Sequence, residues 1–226
     1  MDFWKQFISG RPKDRLPFLD KDIFPSEYVP VDLSVNNVEI QGKAMGNASI
    51  CQSYLDTVLA AEKGKVAFGG YLEERNLYAS HANFNLPEAQ RRTVHLGVDF
   101  WCTAGTKVLA PLAGRVHSYQ NNDALGDYGP TIILEHQWGQ HTFHTLYGHL
   151  SLDSISGLEV GGYFDAGDVL ARLGTPEINV GYAPHLHFQV ILDMQGLLGD
   201  YPGVAAKKDL HFYAKNCPDP RTLLNF

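Results

Sequence analysis

Two histidines occur two residues apart in the sequence PHLHFQV, residues 184–190. In a β-strand, side chains at positions i and i+2 lie on the same face, so His185 and His187 would project together, with Gln189 beside them. The apolar residues between them would face the opposite side. Paired imidazoles in a cleft can bind a metal ion or transfer protons, whereas the simpler interpretation is that both are surface histidines.

A histidine and an aspartate alternate with apolar residues in RRTVHLGVDFW, residues 91–101. In a strand, His95 and Asp99 would share one polar face. In a helix they would pair at i,i+4, but the central glycine and the β-branched neighbours disfavour a helix. Because four residues of strand span roughly 13 Å, both side chains reach one metal ion only if the chain bends, and Gly97 permits a bend. The alternative is a histidine near a solvated aspartate.

A third histidine-rich sequence is HTFHTLYGHLS, residues 141–151. His149 follows a Tyr-Gly pair at the end of an aromatic strand. His141 and His144 precede it, and His136 ends the previous predicted strand. Most single histidines of this kind lie at the surface or form hydrogen bonds in the core, so none of them indicates a function by itself.

The three sequences together indicate more than each does alone. Two imidazoles and one carboxylate, with water as the fourth ligand, form a typical open catalytic zinc site. His95, Asp99 and either His185 or His187 would supply the three protein ligands. The remaining histidine of the pair and His149 could then transfer protons.

Short β-branched or aromatic segments, separated by Gly, Pro, Asn and Asp, must position these residues. Such segments predict an antiparallel sheet, sandwich or small barrel, and they begin within KVAFGGYL and end with HLHFQVIL. The one clear helix is predicted over residues 47–63, with Gly64 as its stop. Its apolar positions recur at helical spacing: Ile50, Tyr54, Val58 and Ala61. We divide the chain into an N-terminal extension that packs on the core (1–90), a β core (91–193) and a C-terminal tail (194–226).

Composition restricts the classes of function. The 226 residues carry a formal net charge of −7, and the pI is near 5.7, which argues against a nucleic-acid partner because such proteins normally carry a basic patch. No apolar run approaches the roughly 18 residues of a membrane span, and the N-terminus lacks the apolar region of a secretory signal. Cys51, Cys102 and Cys217 fit free thiols in a reducing compartment. These features predict a cytoplasmic protein.

Three motifs in this order, HLGVD, YGHLS and PHLHF, resemble those of the lysostaphin-like (LytM-type) zinc metallopeptidases, which cleave glycyl or cross-bridge peptide bonds in bacterial peptidoglycan. The resemblance covers about residues 95 to 190. It implies that His95, Asp99 and His187 bind one zinc ion and that His149 and His185 are the catalytic histidines. It also implies a mainly β fold, a small antiparallel barrel or sandwich of the duplicated hybrid motif type, with a groove over the zinc and a peptide or peptidoglycan-derived substrate.

The sequences flanking the motifs, such as GGYLEERNLYAS and CPDP, resemble a subgroup of this family in which the module lies beside kinase-like and aminotransferase domains. The sequence LGTPEINVGYAPHLHF is longer and less rich in Gly and Ser than the family's usual loop, which predicts a remodelled groove wall. Two alternatives to a peptidase therefore stay open: a non-catalytic zinc-binding interaction or regulatory domain, and a zinc hydrolase of a small cytosolic metabolite. His136 and Gln189 are candidates for orienting the ligands, and the sequence makes no prediction about oligomeric state.

Overall fold

A computed structural model describes residues 3–14, 16–76 and 91–226 of the protein. Residues 77–90, which include the end of the predicted extension and the LYAS part of one flanking sequence, lie outside the described residues. The helices in the described ranges are α1 (Phe3–Gly10), α2 (Ala48–Glu62), α3 (Leu210–Asn216) and α4 (Pro220–Leu224). The strands are β1 (Tyr28–Pro30), β2 (Val66–Gly69), β3 (Arg92–His95), β4 (Val98–Trp101), β5 (Lys107–Leu109), β6 (Gly114–Asn122), β7 (Gly129–Trp138), β8 (His141–Gly148), β9 (Tyr163–Phe164), β10 (Val169–Arg172), β11 (His185–Ile191) and β12 (Val204–Ala206).

Eight of these strands form one sheet in the order β1-β2-β4-β11-β8-β7-β6-β9. The β1–β2 pair is parallel and the other pairs are antiparallel. Two smaller sheets pair β10 with β5 and β12 with β3. The prediction of a mainly β fold is confirmed, and among the described strands the large sheet is open at β1 and β9 rather than closed into a barrel.

Strand β11 lies at the centre of the sheet, between β4 and β8. Its residues Leu186, Phe188 and Val190 are fully buried in the largest hydrophobic cluster, which includes side chains of β4, β7 and β8. The alternation of the strand therefore turns His185 and His187 to the other face, as the sequence predicts. Packing of the apolar residues into this core therefore determines that His185 and His187 lie together on the opposite face of β11.

The predicted helix is present as α2. Asn47 caps it, since its side chain accepts hydrogen bonds from the first-turn amides, and it ends at Lys63, which adopts the left-handed conformation. The predicted apolar stripe is confirmed only in part, however, since Tyr54 packs against the core but Ile50 and Ala61 are exposed. Cys51 and Leu55 are the buried residues, while Ile50 is 40% exposed, because the helix packs through that face onto β2 and β4.

The N-terminal part of the chain contributes to the same sheet. Strands β1 and β2 extend it beyond β4, and Trp4 and Phe7 of α1 pack against Phe143 of β8. Among the described residues, no helix has the length and hydropathy that a bilayer-spanning segment requires. The three cysteines are free thiols.

Candidate metal centre

Strands β3, β4 and β11 bring the predicted ligands together. Asp99 on β4 lies directly opposite His187 on β11 in the antiparallel register. His95 ends β3, and the chain turns at Leu96–Gly97 before β4 begins. Gly97 is required there for space: a Cβ at this position would lie 2.7 Å from the imidazole ring of His187. The predicted bend is therefore present, and the absent side chain lets the His187 ring approach the turn.

Three donor atoms converge at this point. His95 Nε2 lies 2.9 Å from His187 Nδ1, and Asp99 Oδ1 lies 3.2 Å from the former and 3.1 Å from the latter. In a tetrahedral zinc site with ligands at 2.0–2.1 Å, neighbouring ligand atoms are about 3.3 Å apart. Within the described ranges, these side chains are the one set of three or more His, Cys, Asp or Glu residues whose donor atoms all lie within 4.8 Å of one another.

The hydrogen bonds of the two imidazoles fix which nitrogen faces the centre. His95 Nδ1 donates to the carbonyl of Gly70 at 3.0 Å, and His187 Nε2 donates to Oε1 of Gln189 at 2.9 Å. The Gln189 amide is itself oriented, since its NH₂ group donates to the carbonyl of Pro202 and to Cys217 Sγ. The facing nitrogens therefore carry lone pairs, beside a carboxylate oxygen. Three electron-rich atoms this close repel one another unless a cation lies among them, so the donor set fits a divalent metal ion.

The electrostatics favour the protonation states that a metal ligand needs. Burial alone would raise the pKa of Asp99, but the neighbouring His95 and Arg75 outweigh it and hold that pKa well below its usual range. Burial lowers the pKa of His95 to about 4, although Asp99 opposes the shift. At neutral pH the carboxylate is therefore ionised and the imidazole is neutral. Nη1 of Arg75 donates to the second oxygen of Asp99, Oδ2, at 2.5 Å.

His149 and His185 lie beside the three donors. Their ring centroids are 3.9 Å apart, and His185 Nε2 is 3.9 Å from Asp99 Oδ1. His185 Nδ1 donates to the carbonyl of Ala183 at 2.7 Å, which leaves Nε2 without a proton. Burial lowers the pKa of both imidazoles, that of His149 well below its usual range. No hydrogen-bond partner for His149 Nδ1 occurs among the described residues.

The backbone at His149 has an unusual conformation. Its φ is 62°, in the left-handed region that few residues other than glycine adopt. Two hydrogen bonds hold it there: its amide donates to the carbonyl of Tyr128 at 2.8 Å, and its carbonyl accepts from the amide of Gly174 at 3.0 Å. Strain of this kind persists only where the surroundings impose it, and it is concentrated at functional sites.

A small cavity opens over these side chains. Its volume is about 160 Å³, and the five central side chains are only 2–6% exposed. Its walls come from the N-terminal part (Leu33, Met45 and Cys51), from the loops after β6 and before β11 (Asp127, Tyr182 and Ala183), and from the tail (Asp200 and Tyr201). The loop before β11, for which the sequence predicts a remodelled wall, lines this cavity.

The structure thus brings His95, Asp99, His149, His185 and His187 into one site. The other histidines of the same region lie elsewhere. The suggestion that His136 orients a ligand is wrong, because its ring nitrogens bond to the Ala113 carbonyl and to Thr145 Oγ1. His141 stacks on Phe3. Sequence reasoning missed the roles of Gly70 and Arg75: both lie in the flanking sequence GGYLEERNLYAS, but that resemblance assigned neither of them to the site, which they reach only through the fold.

One segment of the chain is similar to known proteins. Residues 93–197 match the sequence profile described as Peptidase family M23. An "uncharacterized metalloprotease" of Haemophilus influenzae is 33% identical over 105 residues, which cover 46% of this chain and 20% of that protein. The chain thus matches about one fifth of the relative's length. These matches show that the segment is similar to metallopeptidases, which supports a peptidase function for it.

Two solved structures are also similar. The catalytic domain of lysostaphin from Staphylococcus simulans is 24% identical, with a TM-score of 0.38, over 54% of this chain and 80% of that one. A zinc-containing peptidase from Vibrio cholerae is 26% identical, with a TM-score of 0.36, over 52% of this chain and 31% of that one.

Proposed function

We propose that the protein is a zinc-dependent metallopeptidase that hydrolyses an amide or peptide bond. His95, Asp99 and His187 would hold one zinc ion, and His149 and His185 would act beside it. The observation that carries the proposal is the convergence of two imidazole lone pairs and a carboxylate oxygen within 2.9–3.2 Å, next to two more neutral imidazoles. The match to a metallopeptidase profile over residues 93–197 supports it.

The chemistry that zinc supplies when bound is Lewis-acid polarisation of a carbonyl and a lowered pKa, near 7, for a coordinated water. The residues of the chain supply proton transfer. His185 Nε2 carries a lone pair and faces the donor set, so it suits acceptance of a proton from a nucleophilic water. His149 is packed against it, and its Nδ1 is free of any described partner. Its tautomer is therefore not fixed by the fold, and it can donate to developing negative charge or to the leaving nitrogen.

For the substrate we propose a peptide that is glycyl or derived from a peptidoglycan cross-bridge, as the resemblance to the lysostaphin type suggests. We also propose that the protein belongs to the subgroup in which this module lies beside kinase-like and aminotransferase domains. A second candidate, a hydrolase of a small amide metabolite, is favoured by one observation. The cavity over the site has walls from the N-terminal part, two loops and the tail, and walls on several sides suit a small ligand.

The test is a screen of the zinc-loaded protein against glycyl peptides, muropeptides and small amides, with the chelated protein as the blank. We expect hydrolysis of at least one class, lost on chelation and restored by zinc. His149→Ala should lower the rate by about 10²–10⁴-fold, the usual contribution of general acid–base catalysis. His211→Ala, which removes an exposed histidine of α3, is the matched control and should keep the full rate.

The outcomes separate the candidates. Cleavage of peptides or muropeptides favours the peptidase, and cleavage of small amides alone favours the metabolite hydrolase. A zinc-loaded protein that hydrolyses none of them would contradict the proposed activity and favour the non-catalytic zinc-binding alternative.

A further inference from the structure

A short turn from the N-terminal part of the chain lies directly behind the candidate metal centre. The turn comprises residues 70–75 and follows β2. It is attached to β3 by three backbone hydrogen bonds: Leu72 N to His95 O, His95 N to Glu73 O, and Arg75 N to Thr93 O. These hydrogen bonds fix the turn to the strand that carries His95. It lies outside residues 93–197, the segment that matches the family profile.

The turn contacts two of the three donor residues. The carbonyl of Gly70 accepts the hydrogen bond from His95 Nδ1, and the guanidinium of Arg75 binds Oδ2 of Asp99. Gly70 has a φ of 106°, and a Cβ there would overlap Arg75 Nη2. Glycine at this position thus lets the guanidinium and the His95 ring pack against the same backbone.

Arg75 is itself held from several sides. Its side chain is only 1% exposed, its Nε donates to Oε1 of Glu73 at 2.5 Å, and its Cζ lies 5.4 Å from the centre of the Trp101 ring. Oε2 of Glu73 in turn accepts from the amide of Leu33 at 3.2 Å. A fully buried guanidinium with two carboxylate partners is costly to place and is rigid once placed.

We infer that Arg75 is a positioning residue of the zinc site, whose guanidinium holds Oδ2 of Asp99 so that Oδ1 faces the two imidazole nitrogens. This inference rests on the zinc site proposed above. With Oδ2 engaged, Asp99 can offer only one oxygen to the ion and cannot rotate away from it. A carboxylate fixed in this way loses less conformational freedom on binding, and partners of this kind typically contribute 10–100-fold to metal affinity.

Lysine cannot replace this arginine. The guanidinium presents several N–H groups in a fixed fork, so one side chain reaches Glu73 and Asp99 at once. An ammonium group is a point charge on a flexible stem and cannot reproduce both contacts in the same geometry. Arg75→Lys therefore preserves the buried positive charge while removing the orientation.

The experiment measures zinc affinity by competition with a chromophoric chelator and the visible absorption spectrum of the cobalt(II)-substituted protein. We expect Arg75→Lys to bind zinc about 10–100-fold more weakly and to show a changed cobalt spectrum, because the carboxylate ligand is no longer fixed. Arg172→Lys, at an exposed arginine of β10, is the matched control and should leave both properties unchanged. If Arg75→Lys does not fold, Glu73→Gln provides the same test, since it retains Arg75 but weakens one of its two anchors.

A folded Arg75→Lys or Glu73→Gln protein with wild-type or tighter zinc affinity and an unchanged cobalt spectrum would overturn the inference. A wild-type protein that binds neither zinc nor cobalt is a different result, because it would overturn the zinc site of the proposed function and this inference with it.

Discussion

At the scale of single residues, the two histidines of PHLHF are held in different ways. His187 directs Nδ1 toward the donor set because Gln189 accepts its Nε2 proton. His185 directs Nε2 toward the same place because the Ala183 carbonyl accepts its Nδ1 proton, but Nε2 stays 3.9 Å from Asp99 Oδ1. The two imidazoles on this strand face therefore differ in geometry, which supports the proposal that His187 binds the metal and His185 transfers protons.

The two positions should differ on mutation. His187→Ala should lose most of the bound zinc, as should His95→Ala and Asp99→Ala, because each removes one of three ligands. His185→Ala should keep near-stoichiometric zinc, which metal analysis after dialysis measures, and should lose catalytic rate. If His185→Ala lost zinc while His187→Ala kept it, the two roles would be reversed.

A buried histidine outside the site should give the fold a pH dependence. Burial lowers the pKa of His136 to about 4, whereas an unfolded histidine titrates near 6.5. Between these values the unfolded chain binds a proton that the folded one does not, so stability falls as pH falls from about 6.5 to about 4. Over this whole pH range, the loss of unfolding free energy from His136 amounts to roughly 3 kcal/mol.

The comparison is urea unfolding of chelator-treated protein at pH 7 and at pH 4.5. His136→Gln should lose less stability between the two pH values than the wild type, whatever its stability at pH 7. His211→Gln, at an exposed position, should behave as the wild type. If His136→Gln and the wild type lost the same amount of stability between pH 7 and pH 4.5, His136 would not contribute to the pH dependence.

The five site residues could be predicted because each carries a local signal: alternation in a strand, a glycine at a bend, and a resemblance of three motifs. Arg75 and Gly70 could not be. Arg75 meets Asp99 across 24 positions of sequence, and the flanking sequence GGYLEERNLYAS that contains it does not indicate which of its side chains is buried at the site. Contacts of this kind depend on the packing of the whole sheet.

At the scale of elements, the sequence predicts the longer strands well and the short ones poorly. Each β-rich segment identified in the sequence contains a strand, because hydrophobic alternation over four or more residues is a strong signal. Strands β1, β9 and β12 have only two or three residues, too few to show a period. Their pairing is decided by the neighbouring strand rather than by their own residues.

Helix α2 shows how tertiary packing decides which residues face the core. Leu55 is fully buried, and Ile50 is 40% exposed. Leu55→Ala should lower the free energy of unfolding by about 2–5 kcal/mol, as large-to-small changes in a core do. The matched change Ile50→Ala should cost less than about 1 kcal/mol. Denaturant unfolding of both variants measures the difference. Equal losses of unfolding free energy would contradict the assignment of Leu55, rather than Ile50, to the buried face of the helix.

At the scale of the whole molecule, zinc and folding should be coupled. The proposed ligands lie on β3, β4 and β11, and their facing lone pairs repel one another in the metal-free protein. A ligand that binds only the folded state stabilises it by mass action. We expect about one zinc per chain and a lower melting temperature after chelation, restored by added zinc. A melting temperature that is unaffected by chelation and zinc would contradict this coupling.

The hydrogen bonds behind the two imidazoles also define how much of the chain a working site needs. His95 depends on Gly70, before the matched segment, and the Gln189 that orients His187 is held by Pro202 and Cys217, after it. A fragment cut to residues 93–197 would keep all five site residues and lose the groups that aim them. A transplanted or shortened form of this centre must therefore include at least the residues from Gly70 to Cys217.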